Sequence, residues 1–301
     1  MIDRASPATS SPLIICVGDL IDEIAVRLDA PWRRGSDAAA QITRRRGGSA
    51  ANVAVAAVAA GGAARFIGAV GQDATAEALE AALVRAGVEP LLQHRGRSAS
   101  IVVVVEADGE RTMLPDRAAA LTLRNPGPAA LAGGSWLHAP AYSLLGEPLG
   151  ETTSALFAHA RAAGIPTSLD ASSVGALSAW GPDESRRRFA ELTPTLLFAN
   201  EEECAYLRLL AEPIPGCILI AKHGAGIAEV RSASGEVLAS RPAHPLPAGI
   251  DSTGAGDAFA GGLLVARARG TSWEDALVAG HSAAADHLQR QAAHGAKQEG
   301  S

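Results

Sequence analysis

The stretch "DSTGAGDAF" at residues 251–259 sets Asp257 directly behind Gly254, Ala255 and Gly256. The residues that follow, "AGGLLVARARG", are helical in composition, so the turn feeds backbone N–H groups into a helix N-terminus. Small residues let a phosphate approach the backbone, and the helix dipole offers it partial positive charge. An aspartate in that first turn is favoured as a carboxylate and can accept a proton. A general base beside fixed donors is what phosphorylation of a hydroxyl requires. Taken alone, the same residues also read as a tight turn with a favourable first-turn acid. A second candidate is "ANEEE", where Asn200 and Glu203 stand three residues apart at a helix start. An amide and a carboxylate are hard oxygen partners for Mg²⁺, and they equally make a helix-capping pair.

These residues need a scaffold, and the chain outlines one. "LIICVG", "ARFIGAVG", "SWLHAP", "PTSLDA", "TLLFAN" and "CILIAKHG" read as strands. "GGSAANVAVAAVAAGG", "TAEALEAALVRAG", residues 147–163, "EEECAYLRLLA", and residues 255–269 and 273–292 read as helices. Alternating strands and helices predict an α/β domain with a mainly parallel sheet covered on both faces. Two strand-rich segments, near 19–45 and 97–118, interrupt the alternation and are expected to pair into a small accessory sheet acting as a lid. The second carries Asp108-Gly109, a hairpin signal, and another hairpin is expected in "GIAEVRSASGEVLASR". No repeat or linker divides the chain, so one domain over 13–295 is expected behind a disordered lead-in, 1–12.

Composition narrows the function class. With 301 residues, 48% of them hydrophobic, the chain can bury a large core. A net charge of −6 gives no basic footprint for nucleic acid or an anionic membrane. The run "LIICV" is too short for a membrane span. Cys16, Cys204 and Cys217 are too few and too scattered for a disulfide framework, which suits a reducing, cytoplasmic setting.

The "DSTGAGDAF" stretch resembles the C-terminal signature of the ribokinase-like (PfkB) carbohydrate kinases. "GGSAANVA" at 47–54 resembles the family's N-terminal signature, and "ANEEE" its Asn-x-x-Glu element. The resemblance runs from about residue 13 to about 290, with the motifs in the family's order. It implies a three-layer α/β/α fold with a small β-sheet lid. It also implies an ATP-dependent kinase acting on a hydroxyl, expected to be a primary alcohol, of a sugar or nucleoside. Carried over by position, Asp257 is the base, and Gly254, Ala255 and Gly256 supply the anion hole. Asn200 and Glu203 hold Mg²⁺ through waters, and Asp251 lies where some members bind a monovalent cation such as K⁺.

On the substrate side the resemblance points to Gly48 and Asn52, with Ser49 where ribokinase carries a lysine. An acid five positions after the first glycine is expected to grip substrate hydroxyls. Counted from Gly18, that is Glu23, whereas Asp22 is favoured by its shorter reach and family-like chemistry; in a strand the two face opposite ways, so only one of them can face the sugar, and either also reads as a surface acid. "AAA" at 118–120, after Asp116 and Arg117, replaces the family's frequent Gly-Ala-Asn. The run Arg44-Arg45-Arg46 reads as a solvated face or as a site for a phosphorylated sugar. On the nucleotide side the matching positions are Lys222, Gly224 and Gly226 in "AKHGAG", with Thr253, and His281, which also reads as a packed histidine. The lid's exposed edges suit a homodimer.

The chain has only two lysines, Lys222 and Lys297, and neither stands in a P-loop; the protein-kinase motifs are absent too. Two rivals remain. One is a sugar- or nucleoside-binding protein that kept the fold without catalysis, to which Asp257 would be superfluous. The other is a dinucleotide-binding oxidoreductase, against which "GGSAAN" lacks the required glycine spacing.

Overall fold

The computed structural model describes residues 11–31, 34–106, 110–244 and 252–299, with side chains up to residue 293. The expected hairpin turn at Asp108-Gly109, the acid Asp251 and most of the expected lead-in lie outside the described residues.

Apolar runs bounded by turn residues form the strands, and alanine-rich or amphipathic runs form the helices. In chain order the first half holds β1 (Leu13–Val17), β2 (Ile21–Leu28), β3 (Ala40–Gly47), α1 (Ser49–Ala59), β4 (Ala63–Val70), α2 (Ala74–Arg85) and β5 (Val88–His94). Then come β6 (Ala99–Val105), β7 (Arg111–Asp116), β8 (Gly134–Pro140), α3 (Leu149–Ala162) and β9 (Thr167–Asp170). The second half holds α4 (Val174–Leu177), α5 (Pro182–Leu192), β10 (Leu196–Asn200), α6 (Glu201–Tyr206), β11 (Ile218–Lys222), β12 (Ile227–Arg231) and β13 (Val237–Pro242). The last helices are α7 (Ala255–Ala268) and α8 (Trp273–Glu299).

Nine strands form one sheet in the order β13-β12-β11-β10-β9-β8-β1-β4-β5. It is parallel from β5 to β11, and β12 and β13 run antiparallel at the edge. One face carries a core in which Ala50, Ala54 and Ala57 of α1 meet Phe259, Leu263 and Leu264 of α7. The other carries a core that includes Leu156 and Phe157 of α3, Phe189 of α5 and Cys204 of α6. Helices on both faces of the sheet give the three-layer arrangement expected from the sequence. The three cysteines are buried and unpaired, and no helix among the described residues is long and apolar enough to cross a membrane.

The strand-rich interruptions pair as anticipated: β3-β2-β6-β7 form a separate four-stranded sheet, with β2 and β6 parallel. A buried ion pair ties it down. Arg117, just after β7, donates to both carboxylate oxygens of Asp19 at 2.7 and 2.9 Å and to the carbonyls of Tyr142 and Leu145. Asp19 in turn stands just before β2, so the first crossing into the small sheet and the last crossing out of it are fixed at one point.

Candidate active site

In an open α/β sheet, ligands bind outside the carboxyl ends of the strands. Here those ends deliver Asp170 from β9, Asn200 from β10 and Lys222 from β11. The N-termini of α1 and α7 face the same region, and α1 starts at a glycine for a steric reason. Gly48 has φ 102°, and a Cβ there would lie 2.1 Å from the Asp19 carbonyl oxygen. Any side chain at that step would force the small sheet and α1 apart.

The two signature motifs, about two hundred residues apart in sequence, meet at Asp257. Ser49 Oγ donates to its Oδ1 at 2.6 Å and Asn52 Nδ2 to its Oδ2 at 2.9 Å. Burial pushes the Asp257 pKa up to about 6. The Ser49 and Asn52 hydrogen bonds oppose that rise, while the charge of Asp170 adds to it and that of Lys222 opposes it. The result is a carboxylate poised to take a proton near neutral pH.

Next to it, Gly254 caps α7 with φ 79° and no side-chain cap. The Ala255 N–H is turned back onto the Ser252 carbonyl at 3.1 Å, a departure from the expectation that it faces an anion. The N–H groups of Gly254 and Gly256 have no hydrogen-bond acceptor among the described residues. They are therefore the open donors of the turn. A Cβ at Gly256 would lie 3.4 Å from Lys222 Nζ, so the ammonium stands beside the turn.

Lys222 does not stand alone there: its Nζ donates to Asp170 Oδ2 at 2.7 Å, with the two side chains 15% and 9% exposed. Burial pulls the lysine pKa down, but the charge and hydrogen bond of Asp170 outweigh it, so the ammonium keeps its proton. The sequence motifs give Asp170 no role. Its position at the carboxyl end of an inner parallel strand was the one available signal.

Asn200 and Glu203 form a complete capping box. Asn200 Oδ1 accepts from the Glu203 N–H at 2.8 Å, Glu203 Oε2 from the Asn200 N–H at 2.8 Å, and Glu203 Oε1 from Asn200 Nδ2 at 2.9 Å. The capping alternative is thus realised. Glu203 is 2% exposed. Burial, then the charge of Asp170, pushes its pKa up to about 7, so it sits in a negative field that a cation would relieve. Among the described residues no three His, Cys, Asp or Glu side chains cluster as inner-shell metal ligands.

Asp22 and Glu23 face opposite sides of β2, as expected. Asp22 pairs with Arg44, and Glu23 accepts from Arg45 Nε at 2.8 Å. The arginine run therefore divides. Arg44 and Arg45 pair with the two acids at exposures of 60% and 42%, while Arg46 turns inward. Burial pulls the Arg46 pKa down, and the charges of Asp257 and Glu23 oppose that, so it lies near both carboxylates. Arg46 lines a cavity of about 260 Å³ with Asn52, Gly254 and His287.

Of the residues expected to border the nucleotide, Gly224 and Gly226 lie in the turn between β11 and β12, where the Gly226 N–H bonds the His223 carbonyl at 2.8 Å. Thr253 Oγ1 accepts from Arg111 of the small sheet at 2.5 Å. His281 is packed, its ring edge-on to Phe259 at 5.1 Å and its Nε2 facing the Arg241 carbonyl at 3.2 Å. The structure thus uses its imidazole to hold β13 against α8, the packed alternative.

Comparison with known proteins agrees with this geometry. Residues 11–298 match the pfkB family carbohydrate kinase. A fructokinase of Klebsiella pneumoniae is 32% identical over 237 residues, 72% of this chain and 75% of its own length. One of Salmonella typhimurium is 32% identical over 243 residues, 74% and 76% respectively. Among solved structures, an adenosine kinase from Sinorhizobium meliloti superposes with a TM-score of 0.79 at 21% identity, over 92% of this chain and 93% of that one. A ribokinase from Cryptococcus neoformans in complex with ADP gives 0.73 at 25% identity, over 91% and 93%. The chain therefore belongs to the pfkB family of carbohydrate kinases.

Proposed function

We propose that this kinase transfers the γ-phosphoryl group of ATP to a primary hydroxyl of a sugar, with Asp257 as general base. The observation that carries the reading is the Asp257 carboxylate, held by Ser49 and Asn52 and raised to about 6, beside the open N–H groups of Gly254 and Gly256. A sugar is favoured over a nucleoside because the fructokinases reach 32% identity, whereas the adenosine kinase neighbours share the fold at 19–21%. A ketohexose is the first acceptor to try. ATP as donor is supported by the fructokinase from Xylella fastidiosa that carries bound ATP, at a TM-score of 0.74 and 23% identity.

In this mechanism the acceptor lies between the strand ends and the small sheet, which acts as a lid and excludes water. Glu23, Gly48 and Asn52 orient its hydroxyls. Asp257 takes the proton as the oxygen attacks, and the Gly254 and Gly256 N–H groups bear charge on the migrating phosphoryl. Lys222, Gly224, Gly226 and Thr253 border the phosphates. Asn200, exposed at the end of β10, suits water-mediated contact to Mg²⁺ with the buried Glu203 carboxylate behind it, and the ion when bound would screen phosphate charge.

The test is ADP release with ATP and Mg²⁺ across pentoses, hexoses, their phosphates and nucleosides, run beside Asp257→Asn. Turnover of a sugar that the variant abolishes, with nucleotide affinity kept, supports the kinase. A folded protein that binds a sugar or nucleoside and turns nothing over supports the non-catalytic binding protein instead.

A further inference from the structure

The Thr253 carbonyl, in the peptide unit that carries the Gly254 N–H, is held from α8 by two side chains. His287 Nε2 lies 3.0 Å from it and Gln291 Nε2 donates to it at 3.2 Å. A carbonyl only accepts, so the His287 proton must sit on Nε2, and two donors use both lone pairs of the oxygen. In a planar trans peptide the C=O and the following N–H point in opposite directions. Whatever fixes the Thr253 oxygen toward α8 therefore aims the Gly254 N–H away from it. The same histidine adds a steric limit, because a Cβ at Gly254 would lie 2.8 Å from His287 Nε2.

Gln291 bears out the directional role. Its Oε1 is buried without a hydrogen-bond partner, and an orphaned buried oxygen costs stability. An apolar residue of the same size would avoid that cost. What the glutamine adds is the second donor to Thr253, and flipping its amide would set oxygen against oxygen. We infer that His287 and Gln291 are positioning residues: they clamp the Thr253 carbonyl so that the Gly254 N–H is pre-aimed at the phosphoryl group, without a bound monovalent cation.

The inference rests on the kinase reading above, so its test needs readouts that separate the two. The variants are Gln291→Leu, His287→Ala and His287→Gln, whose amide nitrogen takes the place of Nε2. Removing an anion-hole donor outright costs about 10²–10³-fold in kcat, and a mis-aimed one should cost roughly 10- to 100-fold. Gln291→Leu and His287→Ala are expected to lose kcat on that scale with acceptor KM within about twofold, while His287→Gln recovers most of it. Gln291→Leu should keep or raise the thermal midpoint, and amide exchange in peptide 252–258 should quicken. Wild-type kcat should be the same in potassium and tetramethylammonium buffers. A Gln291→Leu kcat within twofold of wild type, a lowered midpoint with kcat intact, or a wild type that needs potassium overturns the clamp. A wild type that releases no ADP, with exchange still quickened by Gln291→Leu, counts against the kinase reading alone.

Discussion

Ser49 Oγ donates to Asp257 Oδ1 at 2.6 Å, joining the first turn of α1 to the first turn of α7. This bond and the one from Asn52 stabilise the charged form, and burial works against it. As the proposed general base Asp257 must be unprotonated to act, so kcat/KM should be flat above about pH 7 and fall tenfold per unit below about pH 6. Ser49→Ala removes a group that lowers the pKa, so its acid limb should move upward by about one unit. A pH–rate profile checks both. A limb that stays put in Ser49→Ala would mean the titrating base is some other group.

The Asp170–Lys222 pair gives a stability prediction. Lys222→Met leaves Asp170 buried and unpaired near Glu203 and Asp257, and breaking such a pair costs about 3–5 kcal/mol. Joining it to Asp170→Asn should restore most of that loss in chemical denaturation, because no uncompensated charge is left. The double variant should still turn over slowly, since the positive charge beside Gly256 is gone. Equal destabilisation of the single and double variants would show that packing, not charge, sets the cost.

How much of this was legible in the sequence differs by element. α1 and α7 are legible because alanine runs with glycine at their boundaries carry a local signal. β5 was missed because Pro90 and alternating polar residues in "VEPLLQH" mask a strand, and it proves to be a sheet edge, where proline is tolerated. α5 was missed because "PDESRRRFAEL" is mostly charged, although Gly181 and Pro182 mark its start. Motif order brought Asp257 and the glycine turn into view. It could not show that Ser49 and Asn52 bond the Asp257 carboxylate itself, or that Asp170 meets Lys222 across 52 residues. Those contacts depend on which strands become neighbours, and neither spacing nor composition encodes that.

Asn200 offers a way to separate capping from metal contact. Asn200→Ala removes the cap on the Glu203 N–H and should cost about 1 kcal/mol in denaturation. If its oxygen also meets a water on Mg²⁺, the Mg²⁺ concentration for half-maximal turnover should rise several-fold. A loss of stability with an unmoved Mg²⁺ titration leaves the pair as a cap and removes it from the phosphate site.

The choice between Asp22 and Glu23 turns on their surroundings. A Cβ at Gly47 would lie 3.2 Å from Glu23 Oε2, so that carboxylate sits beside the glycine step leading to Ser49 and Asn52. Asp22 is tied instead to Arg44, a side chain 60% exposed. A charged acceptor for sugar hydroxyls contributes about 1.5–3 kcal/mol per hydrogen bond, so Glu23→Gln should raise the acceptor KM by roughly tenfold or more. ATP KM should stay within about twofold, because the proposed mechanism sets the nucleotide at the strand ends rather than against β2. Asp22→Asn should change the acceptor KM by less than about threefold, because the buried Asp22 carboxylate is engaged by Arg44 on the other face of β2. Steady-state kinetics with both substrates varied decides the matter: the opposite ranking of the two variants would assign the sugar to the Asp22 face of β2.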